Sequence, residues 1–394
     1  MITVGVVTCA RSDFGLYMPL ITAIEAHPEL ELEIIATGSH LSPRFGMTVE
    51  EIEAAGFRIH ERIESLVDED TPESVARSIA NGVAGFARLF ARWRPSVLVV
   101  LGDRFDMFPA ALAALPFRIP VAHIAGGEIT EGAIDDALRH SLTKLSHLHF
   151  VAMEEYGRRV LQMGEEPWRV IVSGALAIDN CRNASLASAE ETARRFGFDL
   201  AQPVALVTYH PVTLEYDRTS EQINNLLAAL DKSGVQCLFT YPNADTAGRQ
   251  VIEAIELFCS GRADRHVIVN AGQSGYLNLM SVVSVMVGNS SSGLVEAPSF
   301  KLPVVNIGTR QAGRVCMGNV IHSGYSVDDI AAGLRRALSA DFRRSLDELK
   351  NAYGDGHAAE RIVHRLAAID NMPDLVRKKF IWFQTGVISE AAPA

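Results

Sequence analysis

Basic charge is scarce in this chain. Thirty-six lysines and arginines stand against 47 aspartates and glutamates over 394 residues, a formal net charge of −11. Phosphate-backbone binding needs a basic face, so nucleic acid is not expected as a partner. A local site can still oppose the global sign and take an anionic small ligand. Cysteine is equally thin. The five residues, Cys9, Cys181, Cys237, Cys259 and Cys316, are odd in number, scattered and without a CxxC, which argues against a zinc site or a disulfide framework. No uncharged apolar run reaches the ~18–20 residues that span a bilayer. The opening MITVGVVTCARSD enters a strand pattern directly, without the basic stretch and long apolar run of a signal peptide. A cytoplasmic location with no membrane partner is the expectation. Two nucleotide signatures are missing as well. No GKS or GKT follows a glycine-rich turn, which disfavours ATP hydrolysis, and the first strand runs into TCARSDFG rather than GxGxxG, which weakens any NAD reading.

What is present is a globular composition, 48% hydrophobic and 21% charged, on a chain too long for one comfortable core. Short β-branched runs alternate with helical patterns. The strand candidates are Thr3–Thr8, Leu32–Thr37, Ser96–Leu101, Pro120–Ala125, His147–Val151 and Arg169–Ser173. A second set is Val204–Tyr209, Gln236–Tyr241, His266–Val269, Val283–Gly288 and Pro303–Ile307. Helical patterns lie between them, among them Glu73–Trp93, Ala133–Leu145, Glu221–Lys232 and Thr246–Phe258. Near-continuous apolar strands separated by helices mean parallel sheets covered on both faces. The pattern restarts near residue 203 after a polar stretch. The reading is an α/β chain of two doubly wound, Rossmann-like domains, residues 1–174 and 175–370, with an interdomain cleft. A tail, residues 371–394, carries Arg377, Lys378 and Lys379 before an aromatic patch and either packs back on the first domain or frays.

In such sheets ligands bind beyond the carboxyl ends of the strands, and the chemistry-bearing motifs sit there. GNSSSG, Gly288 to Gly293, joins a strand to a helix pattern. Backbone N–H groups and the hydroxyls of Ser290 and Ser291 suit a diphosphate there, and the ordinary alternative is a serine N-cap. Glu296, one turn on, either accepts ribose hydroxyls or is a solvated helix carboxylate. Arg310 and Asn243 end strands of the second half, and an arginine beside a diphosphate makes charge-assisted, often bidentate bonds. Arg11 either meets a phosphate oxygen or forms a surface salt bridge. His210, fixed by Pro211, donates to phosphate, shuttles protons or is structural. Ser39 and His40 follow the second strand. Asp103 and Arg104 follow another, where an aspartate often only caps the next helix.

The densest motif is HIAGGEITEGAIDD. Gly126 and Gly127 permit a tight turn and close backbone approach. Four carboxylates follow: Glu128, Glu131, Asp135 and Asp136. Metal sites usually pair carboxylates with histidine at recognisable spacings, and no HxxxH is present. Crowded carboxylates in a partly dry cleft instead raise one another's pKa and give an acid and a base near neutrality. Favourable placement at a helix N-terminus accounts for one of the two aspartates in any case.

Taken in order, ARSDFGLYMPL, GSHLS, GDRFD, HIAGGEITEGAIDD with RHSLTKLSHLHF, YHPVT, YPNAD, GNSSSG with Glu296, and NIGTRQ with Gly313-Arg314 resemble the hydrolysing UDP-N-acetylglucosamine 2-epimerases of sialic- and nonulosonic-acid pathways. The likeness runs from residue 1 to about 380. It implies a GT-B-like fold with the nucleotide held mainly by the second domain, no metal and no other cofactor, a nucleotide-sugar substrate, and a homodimer or homotetramer. The implied reaction converts UDP-N-acetylglucosamine to N-acetylmannosamine and UDP by elimination to a 2-acetamidoglucal and addition of water. By motif, Asp103, Glu128, Asp135, Asp136 and His210 carry the chemistry. Arg11, Ser39, His40, Arg104, Asn243, Ser290, Ser291, Glu296 and Arg310 contact nucleotide or sugar. One position departs from the pattern: several relatives carry a carboxylate two residues after the histidine of this segment, and here it is Ala125. Glu128 or Glu131 would take over that role, or the sugar differs. The alternatives are UDP-N,N'-diacetylbacillosamine or a GDP-linked acetamido sugar, a non-hydrolysing epimerase, a glycosyltransferase on the same fold, and a nucleotide-sugar-binding regulator without turnover.

Overall fold

The structure is a computed structural model that describes residues 1–67, 69, 71–130, 134–242, 248–269, 271–369 and 372–382, with backbone alone at 213, 214, 372 and 373. Asn243 and Glu131 therefore lie outside the described residues. Two compact units emerge. One holds Met1–Glu128, Ile134–Leu176 and the chain from His357 onward; the other holds Ala177–Gly356 with Ile129 and Thr130.

The first unit is built on a seven-stranded sheet of β1 (Ile2–Thr8), β2 (Leu30–Thr37), β3 (Ile59–Ile63), β4 (Val97–Leu101), β5 (Val121–Ile124), β6 (Leu148–Val151) and β7 (Val170–Val172). Its order is β3-β2-β1-β4-β5-β6-β7, with every pair parallel. β4, β5 and β6 are buried along their whole length, as strands covered on both faces must be. The second unit carries β8 (Val204–Thr208), β9 (Gln236–Thr240), β10 (Arg265–Ile268), β11 (Val285–Gly288), β12 (Val304–Ile307) and β13 (Val320–Ser323). Their order is β10-β9-β8-β11-β12-β13, again all parallel. Along β8, Ala205 and Val207 join one apolar cluster while Val204 and Leu206 join another. That alternation is the signature of a sheet with a separate core on each face.

Eleven expected strands are observed with ends shifted by one or two residues, and two were not foreseen. Both, β3 (IHERI) and β13 (VIHS), sit at a sheet edge. Edge strands carry polar and charged residues, so neither shows the apolar run that marked the others.

The return of the chain to the first unit is a second departure. Residues 357–369 fall in the range assigned by sequence to the second domain, but the Ala358–Ala367 helix packs on the Arg11–Glu25 helix. Ala359, Ile362, Val363 and Leu366 join Tyr17, Leu20, Ile21 and Ile24 in the first unit's core. Beyond it the segment 375–381 is tied down. Arg169, fully buried, donates from Nη1 to the carbonyl of Leu375 at 2.7 Å and from Nη2 to that of Arg377 at 3.0 Å. Lys378 Nζ reaches buried Glu165 at 2.7 Å, and Phe380 lies so close to Gly164 that a Cβ there would sit 2.5 Å from its ring.

Candidate active site

The order of each sheet selects one place. In the first, β1 leads outward to β2 and β4 leads the opposite way to β5, so the chain diverges between β1 and β4. In the second, the same divergence falls between β8 and β11. At such a switch point a crevice opens beyond the carboxyl ends of the two strands. The loops there are Cys9–Asp13 and Gly102–Asp106 in the first unit, and Tyr209–Pro211 and Asn289–Ser292 in the second.

The first crevice is crowded with charge. Arg104 grips Asp106 bidentately, Nε to Oδ1 at 2.9 Å and Nη2 to Oδ2 at 3.0 Å. Asp106 is 1% exposed. Asp103 is ion-paired with buried Arg139 of the Ile134–Leu145 helix. Two of the four carboxyls at this crevice are thus matched to two guanidiniums, which leaves Asp13 and Asp135 outside those pairs. These are the two that hold protons most readily. Burial pushes Asp13 up to about 6; Arg104 opposes the shift and the negative charge of Asp106 adds to it. Burial, then the charge of Asp103, raises Asp135. A carboxyl shifted this way is a proton carrier at working pH. Asp136 faces His140 at 3.5 Å on the same helix.

The glycines and histidines around these groups set the loops. Gly127 has φ +77° and a Cβ there would lie 2.3 Å from the Tyr156 carbonyl oxygen, so only glycine lets the loop press against that helix before half-buried Glu128. His123, fully buried, donates from Nε2 to the carbonyl of Gly102 at 2.7 Å, with Thr143 Oγ1 at 3.2 Å from Nδ1. Burial holds it down at about 3, so it is neutral and props up the loop carrying Asp103. His40 is fully buried, with Nε2 at 2.9 Å from Thr8 Oγ1 and Nδ1 at 2.9 Å from Thr48 Oγ1. Burial lowers it to about 4. Both ring nitrogens face threonine hydroxyls, which orient the ring from within the fold. Ser39 donates to the carbonyl of Cys9 at 3.0 Å, and Arg11 is exposed at the start of the Arg11–Glu25 helix.

The second crevice is lined by neutral donors. Asn289, fully buried, exchanges two bonds with the backbone of His210. Its Oδ1 accepts from the His210 N–H at 2.7 Å and its Nδ2 donates to the His210 carbonyl at 2.8 Å. Its own carbonyl receives Arg310 Nη1 at 3.1 Å and Gln311 Nε2 at 2.8 Å. His210 is 5% exposed. Burial, reinforced by the Arg310 charge, lowers it to about 3. Ser290 and Ser291 cap a single turn, Ser292–Val295, that gives way to a 3-10 turn at Ala297–Phe300. The helix after GNSSSG is a single turn, so a helix dipole contributes little there; serine hydroxyls, loop amides and Arg310 are the donors present. Glu296 is half-buried, and burial pushes it up to about 7 against the pull of Arg314 and a bond from Ser292. Tyr276, which no sequence pattern singled out, brings its hydroxyl to Thr208, Ser290 and Ser292. Among the described residues no group of three or more histidines, cysteines, aspartates or glutamates is placed to hold a metal ion. No helix among them is long and apolar enough to cross a membrane.

Sequence reasoning missed Asp13, Asp106, Arg139, Asn289 and Tyr276. A signal existed for four of them. Asp13, Asp106 and Asn289 lie within ARSDFG, GDRFD and GNSSSG, and Arg139 lies four residues after Asp135, on the same helical face.

Two all-parallel doubly wound sheets, each with its polar residues gathered at a switch point, define a two-domain α/β protein of the GT-B-like class. A solved structure of UDP-GlcNAc 2-epimerase from Neisseria meningitidis bound to UDP-GlcNAc has the same fold, with a TM-score of 0.78 and 20% identity, covering 92% of this chain and 99% of that one. Residues 22–367 match the UDP-N-acetylglucosamine 2-epimerase family. The GDP/UDP-N,N'-diacetylbacillosamine 2-epimerase (hydrolyzing) of Campylobacter jejuni is 37% identical over 378 residues, 95% of this chain and 98% of that protein. The UDP-N,N'-diacetylbacillosamine 2-epimerase (hydrolyzing) of Legionella pneumophila is 34% identical over 372 residues, 94% and 97% of the two chains. The chain belongs to the UDP-N-acetylglucosamine 2-epimerase family.

Proposed function

We propose that this protein is a hydrolysing 2-epimerase whose substrate is N,N'-diacetylbacillosamine linked to UDP or GDP. The observation that carries the proton chemistry is Asp135, which stands outside the two ion pairs at the first switch point and is raised by burial and by the charge of Asp103. Sequence alone favours UDP-N-acetylglucosamine. The order is reversed here because two relatives matched over nearly their whole length carry the diacetylated sugar in their names. The loop after β5 agrees with that choice. It carries no carboxylate or hydroxyl at Ala125, Gly126 or Gly127, in keeping with a sugar that has an acetamido group at C4 and a methyl at C6 in place of hydroxyls.

In this reading a carboxylate takes the proton from sugar C2. The C–H electron pair forms the C1–C2 double bond, and the C1–O bond breaks with its pair leaving on the nucleoside diphosphate. Water then adds its oxygen to C1 of the glycal while C2 receives a proton on the opposite face. The products are the free 2-epimer and the nucleoside diphosphate. Two proton transfers on opposite faces need two positioned groups, and Asp135 and Glu128 are assigned to them. Asp103, ion-paired with Arg139, is assigned to orienting the sugar. In the second unit Ser290, Ser291, Arg310 and neutral His210 stabilise the charge that develops on the leaving diphosphate, and Glu296 receives ribose hydroxyls.

The test is a time course in deuterated water with UDP- and GDP-linked N,N'-diacetylbacillosamine and with UDP-N-acetylglucosamine. The expected outcome is a free 2-epimer carrying one deuterium at C2, fastest from a diacetylated substrate. Recovery of a nucleotide-linked 2-epimer would make the enzyme non-hydrolysing. Faster turnover of UDP-N-acetylglucosamine would reverse the substrate assignment, and no turnover of any of the three would reject it.

A further inference from the structure

The second switch point has a construction problem that one residue solves. β8 and β11 are neighbours paired in parallel, Gly288 opposite Thr208, and beyond that pair the chain leaves in opposite directions. No ladder bonds hold the two exits together. Gly288, at φ +131°, comes so close that a Cβ would lie 1.9 Å from the Thr208 carbonyl oxygen. The Asn289 N–H then donates to that same carbonyl at 3.1 Å. This approach delivers the Asn289 side chain to the His210 backbone, where its amide both accepts and donates, at 2.7 and 2.8 Å. From the other side its main-chain oxygen takes Arg310 at 3.1 Å and Gln311 at 2.8 Å. The residue is 0% exposed, so it acts on a ligand only through its neighbours.

We propose that Asn289 is the positioning residue of the diphosphate site, stapling the exits of β8, β11 and β12 so that His210 and Arg310 are held in one fixed arrangement. This rests on the reading of the second unit as the part that grips the nucleotide. The chemistry demands an amide. The His210 N–H needs an acceptor and the His210 carbonyl needs a donor at the same spot, and a buried main-chain group left without its partner carries the full desolvation cost. Aspartate has the same shape but cannot donate, and it brings a negative charge beside the place where a diphosphate is to sit. Serine, alanine and glycine cannot span the two bonds.

The experiment uses the full chain, with Asn289→Asp, Asn289→Ala, and each also placed in a His210→Ala/Arg310→Ala background. In ligand-free protein, hydrogen exchange at the His210 amide is expected to accelerate at least ~10-fold in Asn289→Ala while the amides of β8 and β9 keep their protection. By calorimetry, Asn289→Asp is expected to weaken UDP binding by ~10- to 100-fold. In the doubly substituted background the further loss caused by Asn289→Ala is expected to fall below about 3-fold, because the residues it acts through are already gone. Unchanged exchange at His210, or an undiminished loss for Asn289→Ala in that background, overturns the proposal. Should Asn289→Ala fail to fold, the uncharged Asn289→Ser takes its place in both measurements. A wild-type protein that binds neither UDP nor GDP would reject the nucleotide reading, while the exchange measurement would still settle whether Asn289 orders the loop.

Discussion

The two crevices are built by the same topology and filled with opposite chemistry. Between β1 and β4 the loops bring four carboxyls and two guanidiniums together. Between β8 and β11 they bring an asparagine, serine hydroxyls, a neutral histidine and one arginine. On the proposed function, the difference separates moving protons from holding an anion. Proton transfer requires groups whose charge state is close to balance, which burial of unmatched carboxyls provides. Holding a diphosphate requires fixed donors and no competing negative charge, which neutral amides and hydroxyls provide.

That contrast can be broken from either side, and the largest effect is expected in the first unit. Asp135→Asn removes a proton carrier without touching the second crevice. Turnover should fall by ~10²–10⁴, with UDP affinity within about 2-fold of wild type; a parallel loss of UDP binding would mean that the two units do not divide the work. Next comes Gly288→Ala. A Cβ 1.9 Å from a carbonyl oxygen, at a φ that other residues avoid, should destabilise the chain by more than about 3 kcal/mol. A thermal melt measures it, and a melting point equal to wild type would remove the close approach on which the second crevice depends.

Asp13→Asn sharpens the comparison through pH. The folded protein holds this carboxyl at about 6, above its ordinary value of 3.8, so the folded state binds more protons than the unfolded one between those values. Stability therefore falls as pH rises through that window, by up to about 3 kcal/mol once Asp13 is ionised. Asparagine cannot ionise. The variant should melt higher than wild type at pH 7.5, and the gap should close as pH falls to 4. A gap that stays constant with pH would show that Asp13 does not titrate in this window. The smallest effect concerns Glu296, which is raised to about 7. If its ionised form accepts ribose hydroxyls, UDP affinity should rise a few-fold as pH increases through about 7, by charge-assisted bonding, and Glu296→Gln should flatten that rise. A pH-dependent rise that persists in the variant would assign it to another group.

The local pattern revealed the strands buried on both faces and the motifs at their ends, because a near-continuous apolar run and a following glycine or serine turn are properties of adjacent residues. It hid the edge strands β3 and β13, whose charged residues break the run. It hid the Ala358–Ala367 helix's choice of core, since an apolar stripe does not say what it will cover. At the site, the sequence displayed His40, Asp103, Arg104, Asp135 and Arg310, but not Thr48 and Arg139, the partners of His40 and Asp103, which lie 8 and 36 positions away.

What the sequence determined by itself was the list of ingredients: parallel strands, loops rich in carboxylates in the first half, and loops rich in hydroxyls and amides in the second. The tertiary structure decided which ingredients are charged and which are held. β4 pairs with β1 and β11 with β8 across long stretches of chain, and only that pairing sets Arg104 between Asp13 and Asp106 and brings Asn289 to His210. Charge state and orientation follow from distance and burial, and in a parallel sheet those are fixed by strand order rather than by nearness in sequence.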